Sequence, residues 1–122
     1  MINETFLLLF FLQIKHWYID FVNQSDAEVK GKAIYGNRVG IMHSLKHGVG
    51  TAICLLAIAG FEYFPFAIIL GIIDGVAHYH IDWAKMNWGN RDITTPAFWA
   101  HLGLDQMAHQ ICYLCITWLV MV

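Results

Sequence analysis

Apolar residues along this chain come in long blocks separated by short polar links, not in the one-sided stripe of an amphipathic soluble helix. Four blocks stand out, at about residues 5–21, 41–60, 65–88 and 95–122, with their most apolar stretches at FLLLFFL, TAICLLAIAGF, PFAIIL and ITWLVM. Pro65 suits the first turn of the third block. Thr95 and Pro96 read as the cap and first helical position of the fourth. At ~1.5 Å per residue each block can cross a ~30 Å hydrocarbon core, the first only marginally. The pattern predicts an all-α fold, a four-transmembrane-helix bundle of up-down topology, forming a single integral membrane domain over residues 1–122. No internal repeat or low-complexity segment breaks it.

Composition sharpens this picture. Hydrophobic residues make up 58% and charged residues 13%, against roughly 25% charged in an ordinary soluble domain, and the mean hydropathy is +0.53. A net charge of −2 gives no basic footprint for nucleic acid. Cys54, Cys112 and Cys115 lie inside apolar blocks, where they form no disulfide framework. The opening MINETFLLLFF has an acidic residue and no Lys or Arg before its apolar run, so it is expected to be retained and not cleaved as a signal peptide. Lys30, Lys32 and Arg38 occupy the first link, Lys85 and Arg91 flank the third, and the second, GFEYFP, has no basic residue. The positive-inside rule then predicts a multi-pass inner-membrane protein with both termini outside the cytoplasm. Lys15 and Lys46 fall near cytoplasmic helix ends, where they are expected to snorkel. Trp17, Tyr18, Trp83, Trp88 and Trp99 sit near span ends as an aromatic belt.

The spans nevertheless carry ionisable residues, which in hydrocarbon must face the bundle interior, pair, or coordinate something. Each block holds a pair at i, i+4 spacing: His16 and Asp20 (with Gln13 and Gln24 on the same face), His43 and His47 in HSLKH, then Asp74, His78 and Asp82, then His101, Asp105 and His109. Such spacing stacks side chains on one helical face. With alternating helix directions, Asp82 is expected level with His101, His78 with Asp105, and Asp74 with His109. The group would lie roughly 5–20 Å from the cytoplasmic helix ends. His80, two residues from His78, should point elsewhere. Any single His–Asp pair is explained by an interhelical hydrogen bond; four pairs at matched depth point to a metal or proton-handling site. Imidazole and carboxylate ligands on facing helices suit one or two divalent transition metals, zinc, iron or manganese. Gly71 and Gly75 form a GxxxG patch for close helix packing, within one chain or in a homo-oligomer.

These residues resemble an uncharacterised family of small polytopic membrane proteins from bacteria and phages, domain of unknown function 3307. The resemblance rests on HWYIDFVNQ, on Lys30 or Lys32, on HSLKH, on HIDWAK within AHYHIDWAK, and on DQMAH. It implies a membrane location and little biochemistry. A weaker similarity, in the HS and H-x-x-x-D elements, is to predicted membrane-bound metal-dependent hydrolases.

Three functions fit. The first is a metal-dependent membrane enzyme, most simply a hydrolase of a lipid-linked substrate at the bilayer. His16, His43, His47, His78, Asp82, Asp105 and His109 are then the candidate metal ligands, and Asp20, Asp74 and His101 the supporting carboxylates or general base. The chain has no H-E-x-x-H, G-x-S-x-G or phosphate-cradling glycine loop. The second is a proton or metal-ion pathway. The third is a small interaction protein whose polar residues only fix helix packing.

Overall fold

A computed structural model describes residues 3–121. Helix α1, Glu4–Trp17, starts at Asn3, whose side chain accepts from the Thr5 amide at 2.8 Å. It runs straight into a π-helical turn, Tyr18–Val22. Helix α2, Asp26–Lys32, is set by a capping box in which the Ser25 hydroxyl accepts from the Glu28 amide and Glu28 accepts from the Ser25 amide. Helix α3 covers Arg38–Ala59 and ends at Gly60, whose φ of +93° favours glycine. A 3₁₀ turn, Phe61–Tyr63, leads into α4, Phe64–Trp88, and α5 spans Pro96–Met121. The Thr95 hydroxyl accepts from the Phe98 amide at 3.3 Å, which is the expected cap.

The described residues are all-helical, with three departures from expectation. The first link is not a plain loop but contains α2. Helix α3 begins at residue 38 and not 41, because Asn37 Oδ1 accepts from the amides of Val39 and Gly40 at 2.9 and 3.2 Å. Three helical stretches, Glu4–Val22, Arg38–Ala59 and Phe61–Trp88, are long and apolar enough to cross a membrane. Helix α5 matches them in length at 26 residues but is not among them; Asp105, Gln106, His109 and Gln110 dilute its apolar character. Val122, the expected end of the fourth block, lies outside the described residues.

The tightest packing joins α3 to α4. A Cβ added to Gly48 would fall 2.6 Å from the Gly71 carbonyl oxygen, and one added to Gly71 the same distance from that of Gly48. The two backbones are therefore in contact, and the Gly71/Gly75 patch serves this crossing within the chain. An apolar groove of about 590 Å³ runs along its outer side over Gly48, Gly71 and Gly75 and reaches none of the ionisable cluster described below. Helix α1 packs on α3 and α5, α5 on α4, and the short α2 lies against α3 and α4.

The interior is chemically layered. Leu8 and Leu12 of α1, Ala52 and Leu55 of α3, Ala67 and Leu70 of α4, and Tyr113 and Ile116 of α5 form one apolar cluster. The other end of the helices buries charge and imidazole. Across the described residues fifteen polar or charged side chains are buried against nine apolar ones, while Phe6, Phe10, Ile53, Ile72, Leu114 and Leu119 are exposed. That is the reverse of a water-soluble interior.

Candidate metal centre

The π-helical turn places the first ligand-type residues. A hydrogen bond donated by the Asn23 amide to the Tyr18 carbonyl, 2.7 Å long, closes the i→i+5 turn, and the widened turn buries Ile19 and Asp20 side by side. Turns of this type concentrate at functional sites. His16 precedes the turn and faces Asp20, with Nε2 3.4 Å from Oδ2. Gln13, expected on the same face, is exposed. On α3, α4 and α5 regular 3.6-residue geometry carries His43 and His47, His78 and Asp82, and Asp105 and His109 to the same level.

Asp20 and Asp82 are the hubs. Asp20 Oδ1 lies 2.8 Å from His47 Nε2, 2.9 Å from His43 Nε2 and 3.5 Å from His78 Nε2. Asp82 Oδ2 lies 3.1 Å from His78 Nε2 and 3.6 Å from His43 Nε2, and its Oδ1 is 3.2 Å from His109 Nε2. His78 is stacked between His47 and His109, with ring centroids 3.5 and 4.1 Å away. The stack turns three imidazoles toward the two carboxylates, and imidazole nitrogen is a preferred ligand of divalent transition metals.

Both ring nitrogens of His78, Asp82 Oδ2 and Asp105 Oδ1 are buried without a hydrogen-bond partner of acceptable geometry among the described residues. Leaving such atoms unpaired costs about 1–3 kcal/mol each; Asp82 Oδ2 is met by the Lys32 ammonium at 2.8 Å, so the ring nitrogens of His78 are the buried atoms that most call for a further partner. Ligand-type atoms of His16, Asp20, His47 and His78 all lie within 4.8 Å of one another, as do those of Asp20, His78, Asp82 and His109. All six residues are buried. The donor set is imidazole nitrogen and carboxylate oxygen, which suits zinc, iron or manganese. These buried His/Asp groups can hold a metal ion.

Surrounding residues orient the ligands. Tyr113 Oη lies 2.9 Å from His16 Nδ1, and Gln106 Oε1 lies 2.8 Å from His16 Nε2. His43 Nδ1 lies 3.2 Å from Glu28 Oε1, the carboxylate-to-imidazole arrangement that fixes a ligand's tautomer. Burial opposes ionisation of Glu28, but hydrogen bonds from Lys46, the Ser25 amide and His43 outweigh it and hold the carboxyl at about 2. Lys32 Nζ sits 2.8 Å from Asp82 Oδ2 and 3.7 Å from Asp20 Oδ1. His109 Nε2 is 3.5 Å from Asp105 Oδ1, and Lys85 faces Asp105 Oδ2 at 3.7 Å.

Two expected members stand apart. Asp74 is buried two turns above Asp82 and meets not His109 but Lys15, at 3.0 Å, and the Thr51 hydroxyl, at 2.6 Å. His101 is partly exposed and accepts from the Asn90 amide at 2.8 Å, away from the cluster. The expected depth pairing was therefore displaced, with His109 level with Asp82. The cause is the link after α4: Asn90 is still level with His101, so the chain travels past the end of α4 before α5 turns back. Lys15 also corrects expectation. It does not snorkel but is buried, bonded to Thr51, Asp74 and Tyr113 at 2.9, 3.0 and 3.2 Å. His80 does point elsewhere, donating to the Val76 carbonyl and accepting from Tyr35.

Sequence reasoning missed Glu28, Tyr113 and the inward turn of Lys32. The Ser25-Asp-Ala-Glu28 capping signature was the available signal, since it announces a helix that places residues 28 and 32 on one face.

The fold and cluster thus define an all-helical protein with three membrane-length apolar helices and a buried His/Asp centre. The chain belongs to the family described as Protein of unknown function (DUF3307), whose sequence profile matches residues 7–122. No curated protein and no solved structure matches it.

Proposed function

We propose that this is a multi-pass integral membrane protein, a four-helix up-down bundle with both termini outside the cytoplasm, whose His/Asp centre binds a divalent transition metal and supports hydrolysis of a membrane-associated substrate. The observation that carries the metal reading is the convergence of two ligand quartets on Asp20 and His78. The exposed apolar surface and polar interior support the membrane placement. A bacterial or phage origin follows only from the resemblance in sequence.

His16, Asp20, His47, His78, Asp82 and His109 would hold a divalent ion, which would supply Lewis-acid chemistry for hydrolysis of a phosphoryl or acyl group. Beside it, Asp105 Oδ1, buried without a hydrogen bond of good geometry among the described residues and 3.5 Å from His109 Nε2, is the carboxylate oxygen placed to accept a proton. A centre near the helix ends suits a lipid head group or an isoprenoid-linked phosphate.

Metal analysis of the detergent-purified chain, without added metal, tests this. Stoichiometric zinc, iron or manganese is expected, and lost in Asp82→Ala and His47→Ala. Metal-free protein whose stability ignores chelators would sink the reading.

The transport alternative draws on one observation. Tyr113 links His16 to Lys15, and Lys15 to Asp74, so polar contacts continue past the cluster. They stop at Leu8, Leu12, Leu55 and Leu70, all 2% exposed or less, which favours an occluded site. Proton or cation flux in liposomes, abolished by Asp74→Leu, would reverse that preference.

A further inference from the structure

Each carboxylate around the interior meets a lysine, two of them buried and two half-exposed. Asp74 has Lys15, Asp105 has Lys85 and Glu28 has Lys46. Asp20 and Asp82 share a single lysine, Lys32, which is itself buried. It is placed by the geometry of α2 and not by a wandering side chain. The capping box fixes the start of that helix, Glu28 one turn before Lys32 faces His43, and Gln24 accepts a hydrogen bond from the ammonium.

The ammonium occupies a particular side of the cluster. It lies against Asp82 Oδ2 and Asp20 Oδ1, the two oxygens nearest His43 Nε2. Neither ligand quartet includes His43, and both include Asp20 and His78. The carboxylate oxygens that face His43 therefore already hold an ammonium, whereas Lys15, the lysine beside the quartets, meets His47 at 3.5 Å and no oxygen of Asp20 or Asp82.

We infer that the Lys32 ammonium fills the place of a second cation in this centre, so that the site takes one divalent ion per chain and not two. The inference rests on the metal reading above. A second ion ligating Asp82 Oδ2 and Asp20 Oδ1 on the His43 side would stand about 2.0–2.2 Å from each oxygen, in the space that Nζ fills at 2.8 Å from the first. It would also meet the ammonium as a like charge across the same two carboxylate oxygens. With Lys32 in place, Asp20 and Asp82 retain one net negative charge, which one divalent ion overcompensates by a single charge. A dinuclear centre would leave three. Lys32 is thus a determinant of how many metals the site accepts.

The test is metal stoichiometry by mass spectrometry on the full chain in detergent, after saturation with zinc and removal of the excess, for the wild type, Lys32→Arg and Lys32→Met. One zinc is expected in the wild type and Lys32→Arg, and two in Lys32→Met. Two zinc ions in the wild type overturn the inference and leave the metal reading standing, as does one zinc in both the wild type and Lys32→Met. Zinc absent from the wild type but present in Lys32→Met defeats the metal reading for the native protein and keeps the lysine as occupant. Zinc in none of them defeats both. Where Lys32→Met does not fold, Lys32→Gln takes its place with the same reading: two zinc ions sustain the inference and one overturns it.

Discussion

Breaking the Lys15–Asp74 pair is the most direct probe of how the interior is wired. The ammonium and carboxylate are 3.0 Å apart with side-chain exposures of 7% and 2%. At that separation and an effective dielectric of about 20, their attraction is about 5 kcal/mol, before the cost of taking both charges out of water. Removing one partner strands the other. Asp74→Leu leaves an ammonium with Thr51, Tyr113 and long 3.5 Å contacts to His47 but no carboxylate, and Lys15→Met leaves a carboxylate with the Thr51 hydroxyl and no cation. Each single change is expected to destabilise by about 3–5 kcal/mol. The double variant removes both charges, and Thr51 can then bond its own helix backbone, so it should lie within about 2 kcal/mol of wild type. The assay is a double-mutant cycle read from reversible unfolding in mixed detergent micelles. Additive single costs would refute the pairing. A strong coupling of Asp74 to His109 instead of Lys15 would restore the register expected from helix ends alone and refute the displaced α5.

Other consequences follow from the same geometry. Glu28→Gln replaces the carboxylate that faces His43, whose Nε2 in turn meets Asp20 at 2.9 Å, and is expected to weaken metal affinity by up to about 10-fold in competition with a coloured chelator; unchanged affinity would remove α2 from the site. Gly71→Ala pushes a Cβ to 2.6 Å from the Gly48 carbonyl and should cost about 1–3 kcal/mol. Gly103→Ala, with open space around the new methyl, should stabilise by up to about 1 kcal/mol, so equal thermal shifts for the two would contradict the α3–α4 contact. His109→Ala is expected to lose bound metal while His101→Ala keeps it, and the reverse result would move the centre one end of α5 away from Asp82.

The long helices were legible because a block of apolar residues with a cap at one end admits few alternatives. Pro65 and Thr95-Pro96 marked two starts correctly for that reason. The start of α3 was misplaced by three residues because Asn37 caps through its side chain while Arg38 and Val39 continue outside the apolar block. Helix α2 escaped because seven polar and small residues carry no hydrophobic period to detect; only its capping signature identifies it. The π-helical turn left no comparable mark, since its effect is on which side chains share a face.

At the site, spacing within a helix was readable and level between helices was not. His16 and Asp20, His43 and His47, His78 and Asp82, and Asp105 and His109 share faces by periodicity alone, and the structure brings these residues together. Which pair meets which depends on how far each link carries the chain before it reverses. Seven residues separate α4 from α5, enough for the chain to pass the end of α4, and that placed His109 where His101 was expected. The same limit hid the lysines. A lysine near a predicted helix end is equally consistent with snorkelling to water and with a buried partner, and only an acceptor at its own level decides. For Lys15 that acceptor is Asp74, on a helix that has no sequence proximity to it; for Lys32 it is the cluster itself. Burying a lysine demands a carboxylate more strictly than burying a carboxylate demands a lysine, because a carboxylate can also be met by imidazoles or a metal ion. Asp20 and Asp82 use that freedom, drawing five histidines between them, and this is why the leftover negative charge lies where the imidazoles converge.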